Sequence, residues 1–200
     1  MTLTSSQVVK ALQTLGWPAR QAHTAAAVED FQAGWALGEA LKVDGLAGPK
    51  TQAALEQSLR RHAASQGTAS EHFSFSEARC RCGGAQPGCH GVMVKRALLV
   101  QLERLRHLVG PIAPVSIYRC PAHNREAGGA KDSQHLYGSA CDLKAEQVHV
   151  TTNRVKSLVA FSGIGYRKRD GLVAHVDVRH VSGHNSTGGT PQRPTIWVYA

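Results

Sequence analysis

Residues 133–145 read "SQHLYGSACDLKA" and place His135 seven positions before Asp142. On one straight helix these two residues would lie about 10 Å apart along the axis. Two ligands of one tetrahedral zinc lie only about 3–3.5 Å apart, because each is about 2 Å from the metal. A helix therefore cannot let both side chains bind one ion, whereas a loop that turns at Gly138 into a strand can.

A second strand-like stretch, "LVAHVDVRH" at residues 172–180, supplies a partner for this pair. As a strand it presents four residues on one face: Val173, His175, Asp177 and Arg179. Two histidines and one carboxylate leave a fourth position for water, as in a catalytic zinc site. Spacing alone leaves a solvated or buried histidine open as the alternative, because the chain has eleven histidines.

The pattern along the chain divides it into two parts. Residues 1–62 contain three short apolar periodicities that predict a small three-helix domain. Residues 63–70, "AASQGTAS", have the composition of a linker. Residues 71–200 combine an amphipathic helix over 92–110, a second helical stretch and several short β-like runs. This mixture predicts an α+β domain with a small antiparallel sheet.

The first part carries a motif of its own. Residues 27–32, "AVEDFQ", and 43–51, "VDGLAGPKT", resemble the three-helix peptidoglycan-binding module of cell-wall hydrolases, over roughly residues 5–60. The resemblance implies peptidoglycan as a partner. Periodicity does not, since Phe31 and Leu55 would be core residues in any small helical domain.

The second part resembles the zinc D-alanyl-D-alanine carboxypeptidase and endopeptidase family of peptidoglycan peptidases. The stretches that carry the resemblance are "SIYRCPAHNREAGGAKDSQHLYGSACDL" and "GIGYRKRDGLVAHVDVR". The family pattern is matched by Arg119, Asn124, Gly128, Gly129, Ser133, His135, Gly138, Ala140, Asp142 and His175. The match covers about residues 71–180.

The resemblance implies a role for five of these residues. The zinc ligands would be His135, Asp142 and His175. Arg119 would neutralise a substrate carboxylate or a developing oxyanion, a task that suits its planar donors. Ser133 would hydrogen-bond substrate, with a purely local turn role as the alternative.

The proton acceptor is open, because the places where relatives carry it hold Val173 and Leu172. Asp170, on the "RKRDG" loop, is the first candidate. Asp177 is the second, and its alternative role is to orient the zinc-binding histidine or to pair with the following arginine.

The five cysteines raise a separate question. A secreted disulfide scaffold is disfavoured by their odd number and by the absence of a signal-like start. One interpretation is a second, structural zinc site with the ligands Cys80, Cys82, Cys89 and His90. Free thiols or a disulfide formed after release are the alternative. Cys120 and Cys141 are expected to be ordinary buried thiols.

The charge and hydropathy of the chain limit the kinds of partner that it can bind. The net charge of +9 comes almost wholly from residues after position 70 and is spread out, which favours an acidic wall polymer over nucleic acid. No apolar run is long enough for a membrane span. We therefore expect a monomer made in the cytoplasm that acts on the wall after release, as a phage or prophage endolysin does.

The predicted activity is zinc-dependent hydrolysis of an amide bond in the peptidoglycan stem peptide or cross-link, of the D-Ala-D-Ala carboxypeptidase or D-Ala–diaminopimelate endopeptidase type. An L-Ala-D-Glu endopeptidase is the alternative within this class. A catalytically inactive wall-binding protein is the alternative from another class. A two-histidine, one-carboxylate iron oxygenase shares the ligand set.

Overall fold

The computed structural model describes residues 3–17, 19, 24–64, 67–144 and 149–199. This part of the chain has six α-helices: α1 (Ser5–Thr14), α2 (Thr24–Gly34), α3 (Pro49–Ala63), α4 (Arg96–Val109), α5 (Pro121–Glu126) and α6 (Thr152–Leu158). Its strands are β1 (Pro114–Ser116), β2 (Ala140–Leu143), β3 (Gly163–Arg167), β4 (Val173–Asp177) and β5 (Thr195–Tyr199). The α+β class is thereby confirmed. Among the described helices, none combines the length and the apolar character needed to cross a bilayer.

Helices α1 to α3 pack around a common apolar core, as their spacing predicts. Leu12, Phe31 and Leu55, one from each helix, are fully buried. The Trp17 ring meets the Phe31 ring edge-on, with centroids 5.9 Å apart. Both rings also contact Phe75, which follows the three helices, with centroids 4.5 and 5.3 Å away. The core therefore continues from the N-terminal helices into the second part of the chain.

Several residues of the motif in residues 27–32 and 43–51 form one hydrogen-bond network. Gln32 Nε2 donates to Asp44 Oδ1 at 3.1 Å and to Thr51 Oγ1 at 3.0 Å. Gln32 Oε1 accepts from the backbone N–H groups of Asp44 and Gly45 at 3.0 and 3.1 Å. This buried amide thus joins the turn before α3 to α2. This network gives the motif residues a structural role that accounts for their presence without any ligand. Binding of the N-terminal helices to the wall stays a prediction.

The end of the segment predicted as a linker is packed, whereas Ala63 and Ala64 at its start are exposed at the end of α3. Thr68, Ala69 and Ser70 are buried. The carbonyl of Thr68 accepts from Ser58 Oγ at 2.8 Å, and the carbonyl of Ala69 accepts from the Ala36 N–H at 3.0 Å. Small polar residues are compatible with a segment that packs closely against the rest of the protein as well as with a solvated linker, so composition alone does not distinguish the two. The boundaries at 1–62, 63–70 and 71–200 stay a prediction.

The sheet has the strand order β1-β2-β4-β3-β5. Its first three pairings are antiparallel, as predicted. The fourth differs, because β5 runs parallel to β3 and the sheet is mixed. The physical reason is the path after β4: β4 ends beside Gly163 and β5 begins beside the same residue, so the connection crosses the end of β3 and β5 runs opposite to β4 but parallel to β3. The prediction of a wholly antiparallel sheet is wrong at this edge.

A β-bulge in β4 corrects the predicted strand face. Gly165 pairs with His175, but the next residue, Tyr166, pairs with Val173, so Ala174 is the extra residue. An extra residue reverses the alternation of side chains beyond it. Val173 is accordingly in the apolar core, whereas Ala174 lines the cavity beside His175. The prediction that Val173 shares a face with His175 is wrong.

Candidate metal centre

His135 reaches the sheet through a turn of the predicted kind. It lies in a short 3₁₀-helix, Gln134–Tyr137, which ends at Gly138 in the left-handed region with φ 61°. A Cβ at Gly138 would come 2.7 Å from the carbonyl oxygen of Met93, so only glycine fits here. Strand β2 follows and carries Asp142. The predicted loop that turns at Gly138 into a strand is confirmed.

Three candidate ligand atoms converge at the middle of the sheet. Asp142 on β2 pairs directly with His175 on β4. His175 Nδ1 lies 2.8 Å from Asp142 Oδ1, and His135 Nε2 lies 3.1 Å from the same oxygen. The two histidine nitrogens are 3.3 Å apart. A tetrahedral ion with bonds of about 2.0–2.1 Å needs ligand separations of about 3.3 Å, so the three atoms fit one zinc ion.

Neighbouring acceptors determine which nitrogen of each histidine faces this point. His135 Nδ1 lies 2.7 Å from the carbonyl oxygen of Ile117, to which it donates. His175 Nε2 lies 3.3 Å from Asp177 Oδ2 and donates there. The opposite nitrogens then turn lone pairs toward Asp142 Oδ1, itself an acceptor. Three convergent lone pairs repel one another unless a cation lies between them, so the donor set fits a metal.

The pKa shifts of His135 and Asp142 agree with this. Burial lowers the pKa of His135, which keeps its ring neutral and able to bind a metal. Burial alone would raise the pKa of Asp142, but hydrogen bonds with His135 and His175 lower it far below its usual range. For His175 burial again opposes charge, while its contacts with Asp142 and Asp177 raise the pKa. Asp142 is thus a carboxylate at any ordinary pH.

Arg119 lies against the centre rather than apart from it. Its Nη2 donates to Asp142 Oδ2 at 2.9 Å, the oxygen that does not face the histidines. Its backbone N–H donates to the carbonyl of His135 at 3.1 Å. The Nε atom is buried with no hydrogen-bond partner among the described residues. Arg119 therefore orients Asp142, and its side chain also lines the cavity that opens beside the centre.

Asp177 is enclosed by donors. Both of its oxygens accept from the Arg179 guanidinium, at 2.9 and 2.6 Å, and Oδ2 also faces His175. Its side chain is fully buried, and a Cβ at Gly163 would overlap its carboxylate. Burial raises the pKa of Asp177, but the contacts with His175 and Arg179 outweigh it and lower the pKa to about 2. This geometry favours the predicted orienting role over the role of proton acceptor.

The two remaining predicted residues differ in position. Ser133 lines the cavity and precedes the helix that carries His135. Asp170 lies in the turn between β3 and β4, pairs with Arg167, and accepts from the backbone N–H of Leu172 at 3.1 Å. It does not line the cavity. The structure brings Ser133 to the other site residues and does not bring Asp170 there.

The cavity has a volume of about 670 Å³ and a wall that the sequence reasoning missed. Trp197 and Tyr199 of β5 line it, with ring centroids 4.9 and 6.5 Å from that of His175. The Arg179 guanidinium lies 5.1 Å from the Trp197 ring centre. The available signal was two aromatic residues at period two in "TIWVYA". Only the parallel placement of β5 puts them beside the histidine.

The cysteines form a second cluster with a different membership from the predicted one. Four cysteines, Cys80, Cys82, Cys89 and Cys120, have their sulfur atoms within 4.8 Å of one another. His90 is not part of this group, because its Nδ1 lies 3.0 Å from Asp30 Oδ2 in the N-terminal helices. The grouping that includes His90 is therefore wrong, and Cys120, which was expected to be an ordinary buried thiol, lies with the other three cysteines instead. Cys141 is a separate buried thiol, as predicted.

An open three-ligand centre with oriented histidines and an arginine, in a cavity at the middle of a mixed sheet, fits a metal-dependent hydrolase. The Peptidase M15 family model matches residues 71–177, more than half of the chain. The chain belongs to the Peptidase M15 family. This confirms the predicted family and the class of zinc metallopeptidase. Strand β5, with its two aromatic residues, lies beyond the matched range.

One relative is a zinc D-Ala-D-Ala carboxypeptidase from Streptomyces albus G. It is 30% identical over 128 residues, which cover 61% of this chain and 47% of the relative. The chain thus aligns with about half of the length of that relative.

Proposed function

We propose that this protein hydrolyses an amide bond in the stem peptide or cross-link of peptidoglycan, as a D-Ala-D-Ala carboxypeptidase or a D-Ala–diaminopimelate endopeptidase. The observation that carries the proposal is the centre of His135, Asp142 and His175, whose three ligand atoms lie 2.8–3.3 Å apart. The name of the Streptomyces albus G relative supports the substrate class. An L-Ala-D-Glu endopeptidase is the alternative bond specificity.

The residues around the centre have distinct tasks in this reaction. Zinc bound there would polarise the scissile carbonyl and supply a water of lowered pKa. Asp177 keeps His175 in the tautomer that offers Nδ1, and the Ile117 carbonyl does the same for His135 Nε2. Arg119 donates to Asp142 Oδ2 and presents positive charge to the cavity, where an oxyanion or a substrate carboxylate needs it.

The fold also limits which residue can accept a proton. The lining carboxylates among the described residues are Asp132, Asp142 and Asp177. Asp142 is a ligand and Asp177 is enclosed by donors, whereas Asp132 accepts from Ser186 at the surface. Hydrolysis still needs a group that takes a proton from the attacking water and returns it to the leaving amine, and Asp132 and Asp177 are the lining carboxylates that are not metal ligands. The alternative of an inactive wall-binding protein is supported by the same observation, that each lining carboxylate is either a metal ligand or already occupied by hydrogen-bond donors.

We propose that the N-terminal helices bind the wall and that the protein acts there after release, in the manner of an endolysin. The motif in residues 27–32 and 43–51 and the net charge of +9 support this. The test is sedimentation of the protein with purified sacculi. We expect co-sedimentation for the whole chain, and its absence would contradict wall binding.

The decisive experiment is digestion of purified peptidoglycan, followed by mass spectrometry of the products. Loss of a terminal D-Ala identifies a carboxypeptidase, separation of cross-linked dimers identifies the endopeptidase, and free N-terminal D-Glu identifies the alternative bond. His175→Ala should release nothing, while His107→Ala, a change of an exposed histidine on α4, should act as the unchanged protein does. No product with zinc present would contradict the peptidase proposal and leave the wall-binding protein.

Arg119 can be tested separately with a synthetic stem peptide. Arg119→Lys should lower kcat by about 10²–10³-fold, because a point charge replaces the planar donors at the centre. Arg125→Lys, an exposed position on α5, is the matched control. Comparing substrates with a free and an amidated C-terminus separates the two roles. A defect confined to the free acid indicates binding of its carboxylate, and an equal defect on both indicates the oxyanion. No change in kcat on either substrate would contradict a role for Arg119.

A further inference from the structure

We propose that Cys80, Cys82, Cys89 and Cys120 bind a second metal ion, a structural zinc held by four thiolates. The Cys82 sulfur lies 3.4, 3.3 and 3.8 Å from the sulfur atoms of Cys80, Cys89 and Cys120. Zinc–sulfur bonds of about 2.3 Å in a tetrahedron require sulfur separations of about 3.8 Å. Four sulfur atoms at this spacing match one ion, whereas two disulfides would need two separate pairs.

Backbone N–H groups point at these sulfur atoms, as a cluster of negative thiolates requires. Cys80 Sγ accepts from the N–H of Cys120 at 3.4 Å, and Cys89 Sγ accepts from Gly91 at 3.3 Å. Cys120 Sγ accepts from the N–H of His123 at 3.5 Å, which caps the start of α5. Hydrogen bonds of this kind orient metal ligands and offset their charge.

The segment between the cysteines needs such a cross-link. Residues 81–90 contain no helix or strand and turn at Gly83, Gly84 and Gly88, all with positive φ. Exposed and half-buried residues dominate this segment, so it has little apolar core of its own. A metal that gathers both ends of such a segment supplies the folding energy that a core would otherwise supply.

The position of the cluster connects three parts of the protein. Cys120 directly follows Arg119 and precedes α5. His90, next to Cys89, contacts Asp30 of α2. The second metal would therefore fix the chain beside Arg119 and the loop that meets the N-terminal helices. It would do so without an open position for water, because all four sites are protein ligands.

The test is metal content, which does not depend on peptide hydrolysis. The purified protein should carry about two zinc ions per chain. Cys82→Ser should carry about one and keep hydrolytic activity above background, while His135→Ala should carry about one and lose activity. Cys141→Ala is the matched control, a cysteine outside the cluster, and should keep both ions. A ratio of one in the unchanged protein, or iron in place of zinc, would overturn the proposal.

Two readouts that need no cysteine variant cover the case in which such a variant does not fold. Titration with an organomercurial should release one zinc ion as the thiols react. Cobalt exchanged into the protein should show a sulfur-to-metal charge-transfer band that persists in His135→Ala. Absence of the band, or disulfides among these cysteines by mass spectrometry of the freshly purified protein, would contradict a tetrathiolate site.

Discussion

The sheet centre and the cysteine cluster collect ligands in different ways. At the sheet centre, two strands and a 3₁₀-helix bring three side chains to one point, and a cavity of about 670 Å³ lies beside them. At the cluster, four cysteines from turns and a helix start surround one point. Three ligands beside a cavity leave room for water and substrate, whereas four ligands close the site. The number of ligands and the space around them therefore distinguish a catalytic metal site from a structural one that cross-links the chain.

The hydrogen-bond partners of the ligands also differ between the two sites. At the sheet centre each histidine donates to an acceptor, Ile117 O or Asp177, which sets its tautomer. At the cluster the sulfur atoms accept from backbone N–H groups, which offset thiolate charge. Tautomer control matters where a metal must keep one position open, and charge compensation matters where four anions meet. Four substitutions can break or sharpen this comparison.

The largest effect is expected from Asp142→Asn. The neutral amide cannot balance the cation or pair with Arg119, so peptide release should fall to the level seen without protein. Metal content should fall by one ion, and the cobalt–sulfur band should be unchanged because the cluster is separate. The measurement combines peptidoglycan digestion with elemental analysis. Full activity in this variant would refute the assignment of Asp142 as a ligand.

Asp177→Asn should have an intermediate effect. Loss of an orienting carboxylate typically costs about 10–100-fold in metal affinity or activity. Activity restored by excess zinc, with an unchanged pH profile, would agree with an orienting role. A larger loss with a lost acidic limb in the pH profile of kcat would instead make Asp177 the proton acceptor. Asp170→Asn, in the β3–β4 turn, should leave kcat unchanged, and a large loss there would make Asp170 the proton acceptor.

Gly138→Ala should destabilise the turn that brings His135 to the sheet. The left-handed φ of 61° and the approach of Met93 O to 2.7 Å act together, and such strain costs about 1–3 kcal/mol. Gly171→Ala is the matched control, because Gly171 has φ 70° but nothing within 4 Å of the added Cβ. Urea unfolding gives the free energy of unfolding of both variants. Both lose stability through backbone strain, and only Gly138→Ala also loses it through steric overlap with Met93 O. Equal losses would contradict a role for the close approach to Met93.

The smallest effect is expected from His90→Gln, between the cluster and the N-terminal helices. The hydrogen bond with Asp30 raises the pKa of His90. A raised pKa in the folded state stabilises the protein at pH below the unfolded value of 6.5, and this contribution is lost as pH rises through the folded pKa. The free energy of unfolding of the unchanged protein should exceed that of the variant by at most about 1 kcal/mol in mild acid, and the two should be equal at alkaline pH. A difference independent of pH would contradict the ion pair.

Local patterns predicted the elements of the sheet centre well. The distance argument for His135 and Asp142 led to a turn at Gly138, which the structure has. The same reasoning placed Val173 beside His175, and the bulge at Ala174 reversed it. A bulge depends on how two strands pair, and β4 by itself carries no sign of it. Strict alternation is therefore reliable only within an unbroken ladder.

Local spacing misled the interpretation of the cysteines. His90 is adjacent in sequence to Cys89 and completed a compact ligand set, yet its ring contacts Asp30. The fourth cysteine, Cys120, is forty residues from Cys80 and enters only because the fold brings α5 to the glycine-rich turns. Trp197 and Tyr199 were missed for the same reason, since β5 reaches His175 through a parallel pairing.

The sequence by itself determined the residue types and local geometry: two histidines and a carboxylate at spacings that exclude one helix, an apolar core for three N-terminal helices, and a glycine where only glycine fits. These depend on bond lengths, helix rise and strand alternation, which act over a few residues. The tertiary structure alone decided which far-separated groups meet. It placed Cys120 with the other cysteines, the aromatic pair over His175, and Asp170 away from the cavity, because these contacts depend on strand order and connection path.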